Sequence, residues 1–209
     1  MGRPNKNSHN LKRLLQEAIQ LHQRGNFSGA EVLYRKMLLS QPNHPDVLHL
    51  LGVMAYQRGD NNTAVSYIKK AISINSGISA YHNNLGSAFL NLNRTEEAIL
   101  CFEAAVRLQP DYAEACNNLG NALKQRGRYE DARKQYQKAI CIKSDYSEAH
   151  NNLANLLIEE GSYEDAIMHF QTAIALKPKF AEAYFNYGNV LVKMERFDEA
   201  IEQYHHAID

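Results

Sequence analysis

A repeat of 34 residues runs through almost the whole chain and constrains its fold more than any other feature of the sequence. Blocks of this length align without insertion or deletion. The eighth place of each block is Gly or Ala, the twentieth is always Ala, and the twenty-fourth is always a large apolar or aromatic residue. The blocks begin at Leu11, Pro45, Ser79, Ala113, Ser147 and Ala181.

Each block contains two apolar runs with helical spacing, which predicts two amphipathic helices. In the fourth block Leu119 and Leu123 belong to the first run, and Tyr136 and Ala139 belong to the second. A short polar segment around Gly127 separates them. One such hairpin cannot bury its apolar face alone, whereas stacked hairpins share a continuous core. The sequence therefore predicts an all-α protein, a right-handed α-solenoid superhelix of helix–turn–helix repeats.

The repeat also predicts the domain organisation. A polar N-terminal tail, residues 1–10, precedes a single repeat domain, residues 11–209. The last block is truncated inside its second helix, so Ile201, Tyr204 and Ile208 would lie on a face that a next repeat normally covers. We expect this end face to be covered by a further repeat of a longer protein or by a partner chain. The predicted repeats are residues 11–44, 45–78, 79–112, 113–146, 147–180 and 181–209.

Composition excludes several function classes. Lys and Arg number 23 and are balanced by 23 Asp and Glu, so the chain lacks the excess positive charge of a nucleic-acid-binding protein. No stretch approaches the ~18 consecutive apolar residues of a membrane span, and the first ten residues lack the apolar core of a secretory signal. Cys101, Cys116 and Cys141 form no Cys-x-x-Cys pair, which argues against a disulfide framework. These features predict a cytoplasmic protein that does not bind nucleic acid and does not insert into a membrane.

The sequence motifs of common enzymes are absent. The sequence has no glycine-rich dinucleotide or phosphate loop, no His-Glu-x-x-His and no Gly-x-Ser-x-Gly. Its nine histidines are scattered along the repeats. We therefore predict no catalytic residue, no metal site and no cofactor.

The blocks resemble the tetratricopeptide repeat. They share its period, its Leu-Gly pair at the seventh and eighth places, its alanines, its aromatic residue and its proline after the second helix. The resemblance extends from Leu11 to Asp209, although the Trp that the family has at the fourth place is missing. In this family the first helix of each hairpin lines a concave groove. The resemblance implies that the second, fifth, sixth, ninth, twelfth and thirteenth places of each block point into that groove.

Asparagine recurs at three of these inward places. It is a poor residue for a helix interior, so its recurrence in four consecutive blocks indicates a role beyond helix formation. A carboxamide both donates and accepts hydrogen bonds, as a peptide backbone does. An asparagine ladder of this kind predicts a site for an extended polypeptide. The alternatives are that these side chains are solvated, or that they hydrogen-bond between adjacent helices. The candidates are Asn84, Asn118, Asn152 and Asn186 at the sixth place, Asn83, Asn117 and Asn151 at the fifth, and Asn121, Asn155 and Asn189 at the ninth.

The first two blocks have apolar residues at inward places instead. An exposed apolar patch commonly marks a contact site, which here would receive a partner helix or the N-terminal tail. The alternative is that these residues belong to the core. They are Leu15, Ile19, Leu50, Val53 and Tyr56.

Three functions stay open at this point. The first is a non-catalytic scaffold that binds a protein or peptide in its groove. The second is the substrate-recognition arm of a larger glycosyltransferase, because the repeats and their asparagines look like the repeat arm of O-linked N-acetylglucosamine transferases and bacterial relatives. The third is a solenoid that forms homo-oligomers through its C-terminal end face. A clamp for an anionic chaperone tail is disfavoured, because the second place carries Glu114, Glu148 and Glu182.

Overall fold

The computed structural model describes residues 6–208, and within that range the chain forms twelve α-helices and no β-strand. The helices of the first three hairpins are α1 (Lys6–Gln23), α2 (Phe27–Ser40), α3 (Pro45–Gln57), α4 (Asn61–Ile74), α5 (Ser79–Asn91) and α6 (Thr95–Leu108). Those of the last three are α7 (Ala113–Gln125), α8 (Tyr129–Ile142), α9 (Ser147–Glu159), α10 (Tyr163–Leu176), α11 (Ala181–Lys193) and α12 (Phe197–Ile208). None of these described helices is long and apolar enough to cross a membrane.

Consecutive helices pack in pairs, one pair to each predicted block. The first helices of the last five pairs begin at Pro45, Ser79, Ala113, Ser147 and Ala181, where the blocks begin. The predicted all-α class of helical hairpins is thereby confirmed.

Local chemistry fixes where the helices begin and where the chain turns. Pro45 opens α3, where its missing N–H costs no helical hydrogen bond. The side chain of Asp60 accepts a hydrogen bond from the backbone N–H of Thr63 (3.1 Å) and caps α4. Between α7 and α8, Gly127 has a φ of +72°, a left-handed conformation that glycine adopts without strain.

The first helix begins earlier than the repeat pattern predicts. α1 starts at Lys6, so residues 6–10 of the predicted polar tail are helical. A helix extends readily into polar residues once its later turns are packed, and such residues show no apolar period in the sequence. Residues 1–5 of the predicted tail, and Asp209, lie outside the described residues.

The chain divides into two compact units, which the repeat pattern does not predict. The N-terminal unit ends at Leu108 and contains α1–α6, and the C-terminal unit begins at Gln109 and contains α7–α12. In the N-terminal unit a core cluster includes Ala18, Tyr34 and Leu51. In the C-terminal unit the corresponding cluster includes Phe170 and Leu191.

Glycine at the eighth place brings the ring at the twenty-fourth place close to the backbone of the first helix. A Cβ atom added to Gly120 would lie 2.5 Å from Cε1 of Tyr136, and one added to Gly188 would lie 2.5 Å from Cε1 of Tyr204. Real Cβ atoms do not approach a ring so closely, so the ring or the helix would have to move.

We expect Gly120→Ala to lower the free energy of unfolding by about 1–2 kcal/mol, because overpacking costs roughly 1–3 kcal/mol and the better helix propensity of alanine returns up to about 1 kcal/mol. Urea unfolding followed by circular dichroism measures the change. Gly77→Ala is the control, because a Cβ there would meet only Asn75 Oδ1 at 3.6 Å. Equal stability of the two variants would contradict the close-approach argument.

Candidate functional site

Asparagines at the fifth and sixth places join the first helices of neighbouring repeats. In the C-terminal unit Asn152 Nδ2 donates to Asn117 Oδ1 (2.9 Å), and Asn186 Nδ2 donates to Asn151 Oδ1 (3.3 Å). In the N-terminal unit the corresponding contact joins Asn84 at the sixth place to His49 at the fifth place of the preceding repeat. Asn84 Nδ2 lies 2.9 Å from His49 Nε2. Part of the asparagine set therefore bonds between adjacent helices, which is one of the alternatives left open by the sequence.

The fifth and sixth places differ in exposure. Asn83, Asn117 and Asn151 are buried, with 0%, 4% and 1% of their surface exposed. The sixth-place asparagines are only half-buried. A ligand would therefore meet the sixth-place carboxamides more fully than the fifth-place ones.

Two cavities in the C-terminal unit gather most of the candidate asparagines. The first, of about 650 Å³, contains five of them, and the second, of about 570 Å³, contains three. Both cavities are lined by Glu182. We call the lining of these two cavities the amide surface. Its asparagines are Asn117, Asn118, Asn121, Asn151 and Asn152 in the first cavity and Asn155, Asn186 and Asn189 in the second. The other two candidates, Asn83 and Asn84, belong to the N-terminal unit.

The hydrogen bonding of the ninth-place asparagines depends on the residue at the twenty-fourth place. The hydroxyl of Tyr136 donates to Asn121 Oδ1 (2.8 Å), and the hydroxyl of Tyr204 donates to Asn189 Oδ1 (2.9 Å). The fifth repeat has Phe170 at that place, which has no hydroxyl. No side-chain hydrogen bond joins Asn155 to the residues that the structure describes. Asn155 therefore keeps its donor and its acceptor available to a ligand.

The first cavity also carries charged and aromatic groups. Lys177 Nζ lies 2.8 Å from Glu148 Oε1 and 4.5 Å from the centroid of the Phe180 ring. The hydrogen bond from Lys177 holds the pKa of the Glu148 carboxyl below its usual value. Glu182 accepts a hydrogen bond from Asn151 Nδ2 (3.2 Å).

The five residues of the predicted apolar patch are all partly buried. Leu15 and Leu50 pack against the core cluster of the N-terminal unit. Ile19, Val53 and Tyr56 are half-buried.

The three residues of the predicted end face lie in the C-terminal unit. Ile201 and Ile208 are 54% and 83% exposed, and Tyr204 is half-buried. Tyr204 and Ile208 line a cavity of about 510 Å³ together with Phe185, which is itself 53% exposed. The last repeat thus presents apolar side chains at its surface.

The structure also brings together two histidines that look scattered in the sequence. His150 Nδ1 and His169 Nδ1 lie 3.0 Å apart, and burial lowers the pKa of both imidazoles. They occupy the fourth and twenty-third places of one repeat, on α9 and α10. The presence of a histidine at both of these places is the sequence feature that could have indicated the contact. Among the side chains that the structure describes, those of residues 10–208, no three from His, Cys, Asp or Glu cluster so as to hold a metal ion.

Three family models match the sequence, and all of them describe the tetratricopeptide repeat. They match residues 45–77, 83–149 and 154–195. Together these ranges cover more than half of the chain.

Individual proteins match as well. Over 71 residues, 34% of this chain, the sequence is 30% identical to the peroxisomal targeting signal receptor of Saccharomyces cerevisiae, and the match spans only 12% of that receptor. The crystal structure of MamA is 27% identical, with a TM-score of 0.69, and the alignment covers 79% of this chain and 96% of that one. The structure of PilF from Pseudomonas aeruginosa has a TM-score of 0.85 at 22% identity over 95% of this chain and 90% of that one, a likeness of fold alone.

The 34-residue period, the paired helices and the three matching family models agree with one another. The chain belongs to the tetratricopeptide-repeat family.

Proposed function

We propose that this chain is a non-catalytic interaction module that binds an extended polypeptide on the amide surface of its C-terminal unit. Tetratricopeptide-repeat proteins generally mediate protein–protein interactions. The observation that supports this site is that eight asparagine side chains line two cavities that share Glu182.

The hydrogen bonds of the amide surface suit it to a peptide backbone. Asn152 and Asn186 each use one N–H in the bond to the neighbouring repeat, which leaves Oδ1 and a second N–H for a ligand. Asn155 offers its whole carboxamide. Because the bonds between repeats already hold Asn152 and Asn186 in place, little side-chain entropy would be lost on binding.

Replacing both Asn152 and Asn155 with alanine should weaken peptide binding by about 10- to 30-fold, since each lost hydrogen bond is worth roughly 1 kcal/mol. The probes are linear peptides selected from a random phage-displayed library against the intact chain, and their affinities are measured by fluorescence anisotropy. Asn62→Ala, at an exposed position on α4, is the control and should leave affinity unchanged. Far-ultraviolet circular dichroism confirms that helicity is retained.

Unchanged affinity in a folded double variant would exclude the amide surface as the binding site. A selection that yields no binding peptide would count against the proposal as a whole.

The recognition arm of a larger glycosyltransferase is a second candidate, favoured by the same asparagine rows. The receptor, MamA and PilF described above give it no support, so it stays a prediction. The mass of the native protein that carries these residues tests it, because an arm would belong to a species much heavier than 23.7 kDa.

Self-association is a third candidate, favoured by the exposed Phe185, Ile201 and Ile208 of the last repeat. Sedimentation velocity over a range of protein concentrations tests it. A sedimentation coefficient that does not rise with concentration would exclude it.

A further inference from the structure

The first cavity of the amide surface has an excess of negative charge. Glu114, Glu148 and Glu182 line it, one from each repeat of the C-terminal unit, and Lys177 is the one cation among the described residues of its lining. Lys177 is engaged with Glu148 at 2.8 Å. Glu182 makes no ion pair within the described part of the chain, and its hydrogen bond comes from the neutral amide of Asn151.

Glu182 also fixes the direction of the neighbouring amides. A carboxylate only accepts hydrogen bonds, so Asn151 must turn its Nδ2 toward Glu182 and its Oδ1 toward Asn186. Asn186 then donates to that Oδ1 and keeps its own carbonyl oxygen for a ligand. At this end of the amide surface the Glu182 carboxylate and the Asn186 carbonyl are acceptors, and a ligand that supplies hydrogen-bond donors would complement them.

Aromatic rings lie in the same cavity as the carboxylates. Tyr146 and Phe180 both line it. The ammonium group of Lys177 lies over the ring of Phe180, 4.5 Å from its centroid. Lysine and arginine side chains combine an apolar stem with a cationic donor head, so they can pack along a ring and reach a carboxylate at once.

We propose that the polypeptide bound at the amide surface places a lysine or arginine side chain beside Glu182. This inference rests on the proposed function and adds the chemical class of the partner to it. Charge complementarity supports it: the cationic donor would meet the Glu182 carboxylate, which has no cationic partner among the described residues, the Asn186 carbonyl, which accepts no side-chain hydrogen bond from them, and the rings of Tyr146 and Phe180. An acidic segment would instead place like charges against Glu114, Glu148 and Glu182.

Peptide selection against the intact chain tests the inference and requires no identified partner. The random phage-displayed library described above is used once with the unaltered chain and once with Glu182→Gln, which keeps an acceptor for Asn151 but removes the charge. We expect lysine and arginine to be enriched in the first selection and not in the second.

The selected peptide with the highest affinity is then synthesised with its lysine or arginine and with glutamine in its place. Glu182→Gln should weaken binding of the cationic peptide about fivefold, as for a partly exposed charge pair, and leave the glutamine peptide unaffected. The control is Glu103→Gln, at an exposed position on α6 of the N-terminal unit. It makes the same change in net charge and should leave the affinity for both peptides unchanged.

The outcomes separate this inference from the proposed function. Peptides without enriched lysine or arginine that still depend on Asn152 and Asn155 would overturn the inference and leave the proposed function standing. An equal loss of affinity for the cationic and the glutamine peptide would also overturn it, because Glu182 would then serve only to orient Asn151. Binding that is indifferent to Asn152 and Asn155, or no binding at all, would overturn both.

Discussion

Replacing Tyr136 with alanine is expected to lower the free energy of unfolding by about 3–5 kcal/mol, the range found when a large buried aromatic side chain is removed. Tyr136 is 0% exposed. Its ring fills the space that Gly120 leaves open, and its hydroxyl donates to Asn121. Urea unfolding followed by circular dichroism measures the loss.

Tyr136→Phe separates the ring from the hydroxyl. It should cost only about 1 kcal/mol, the net value of one hydrogen bond. The fifth repeat already has a phenylalanine, Phe170, at this place, and that residue is also 0% exposed. If Tyr136→Phe proved as destabilising as Tyr136→Ala, the hydrogen bond to Asn121 rather than ring packing would dominate, contrary to this account.

Acidification from pH 6.5 to pH 4 should destabilise the N-terminal unit by about 2–3 kcal/mol through His49 alone. Burial lowers the pKa of His49 from 6.5 to about 4, although Asp46 acts in the opposite direction. The unfolded chain therefore takes up a proton on His49 near pH 6.5, whereas the folded chain resists it until about pH 4. Stability is retained above pH 6.5 and is lost as the pH falls between these two values.

His49→Asn provides a matched variant, because the next three repeats have asparagine at this place and Asn84 would keep a partner. The measurement is the free energy of unfolding at several pH values between 4 and 7, for both proteins. His150 and His169 also have lowered pKa values and contribute to both curves, so the difference between the curves isolates His49. If the free energies of unfolding of the two proteins changed in parallel with pH, His49 would accept its proton as readily in the folded protein as in the unfolded chain.

Much of the fold follows from the sequence because one physical constraint is repeated six times. The eighth place must be small and the twenty-fourth large, so the period shows directly where each hairpin begins, as at Ala113 and Ser147. The start of α1 at Lys6 does not follow from the pattern, because the first residues of this helix are polar and leave no apolar period. The boundary at Leu108 does not follow either, because it depends on how contacts between residues are distributed along the chain, and a regular repeat does not show this.

The placement of the candidate asparagines can be predicted from the sequence, but their hydrogen bonds cannot. The family geometry places asparagines on the inward side of the first helices, and eight of them do line cavities of one unit. The sequence cannot show that Asn117 and Asn151 are buried partners of the next repeat, because this depends on a contact between residues 35 positions apart. Nor can it show that Glu182 orients Asn151, because a repeat pattern indicates the charge at the second place and not its hydrogen-bond partner.

The contrast between Phe170 and its tyrosine counterparts bears on protein engineering. Repeats of this chain are not equivalent building blocks, even though their periods are identical. An array in which residues 113–146 replaced residues 147–180 would introduce a tyrosine hydroxyl beside the amide corresponding to Asn155 and engage its carbonyl, as happens at Asn121. Such an array would gain a hydrogen bond in its scaffold and lose a free carboxamide, so the phenylalanine of the fifth repeat keeps one carboxamide available.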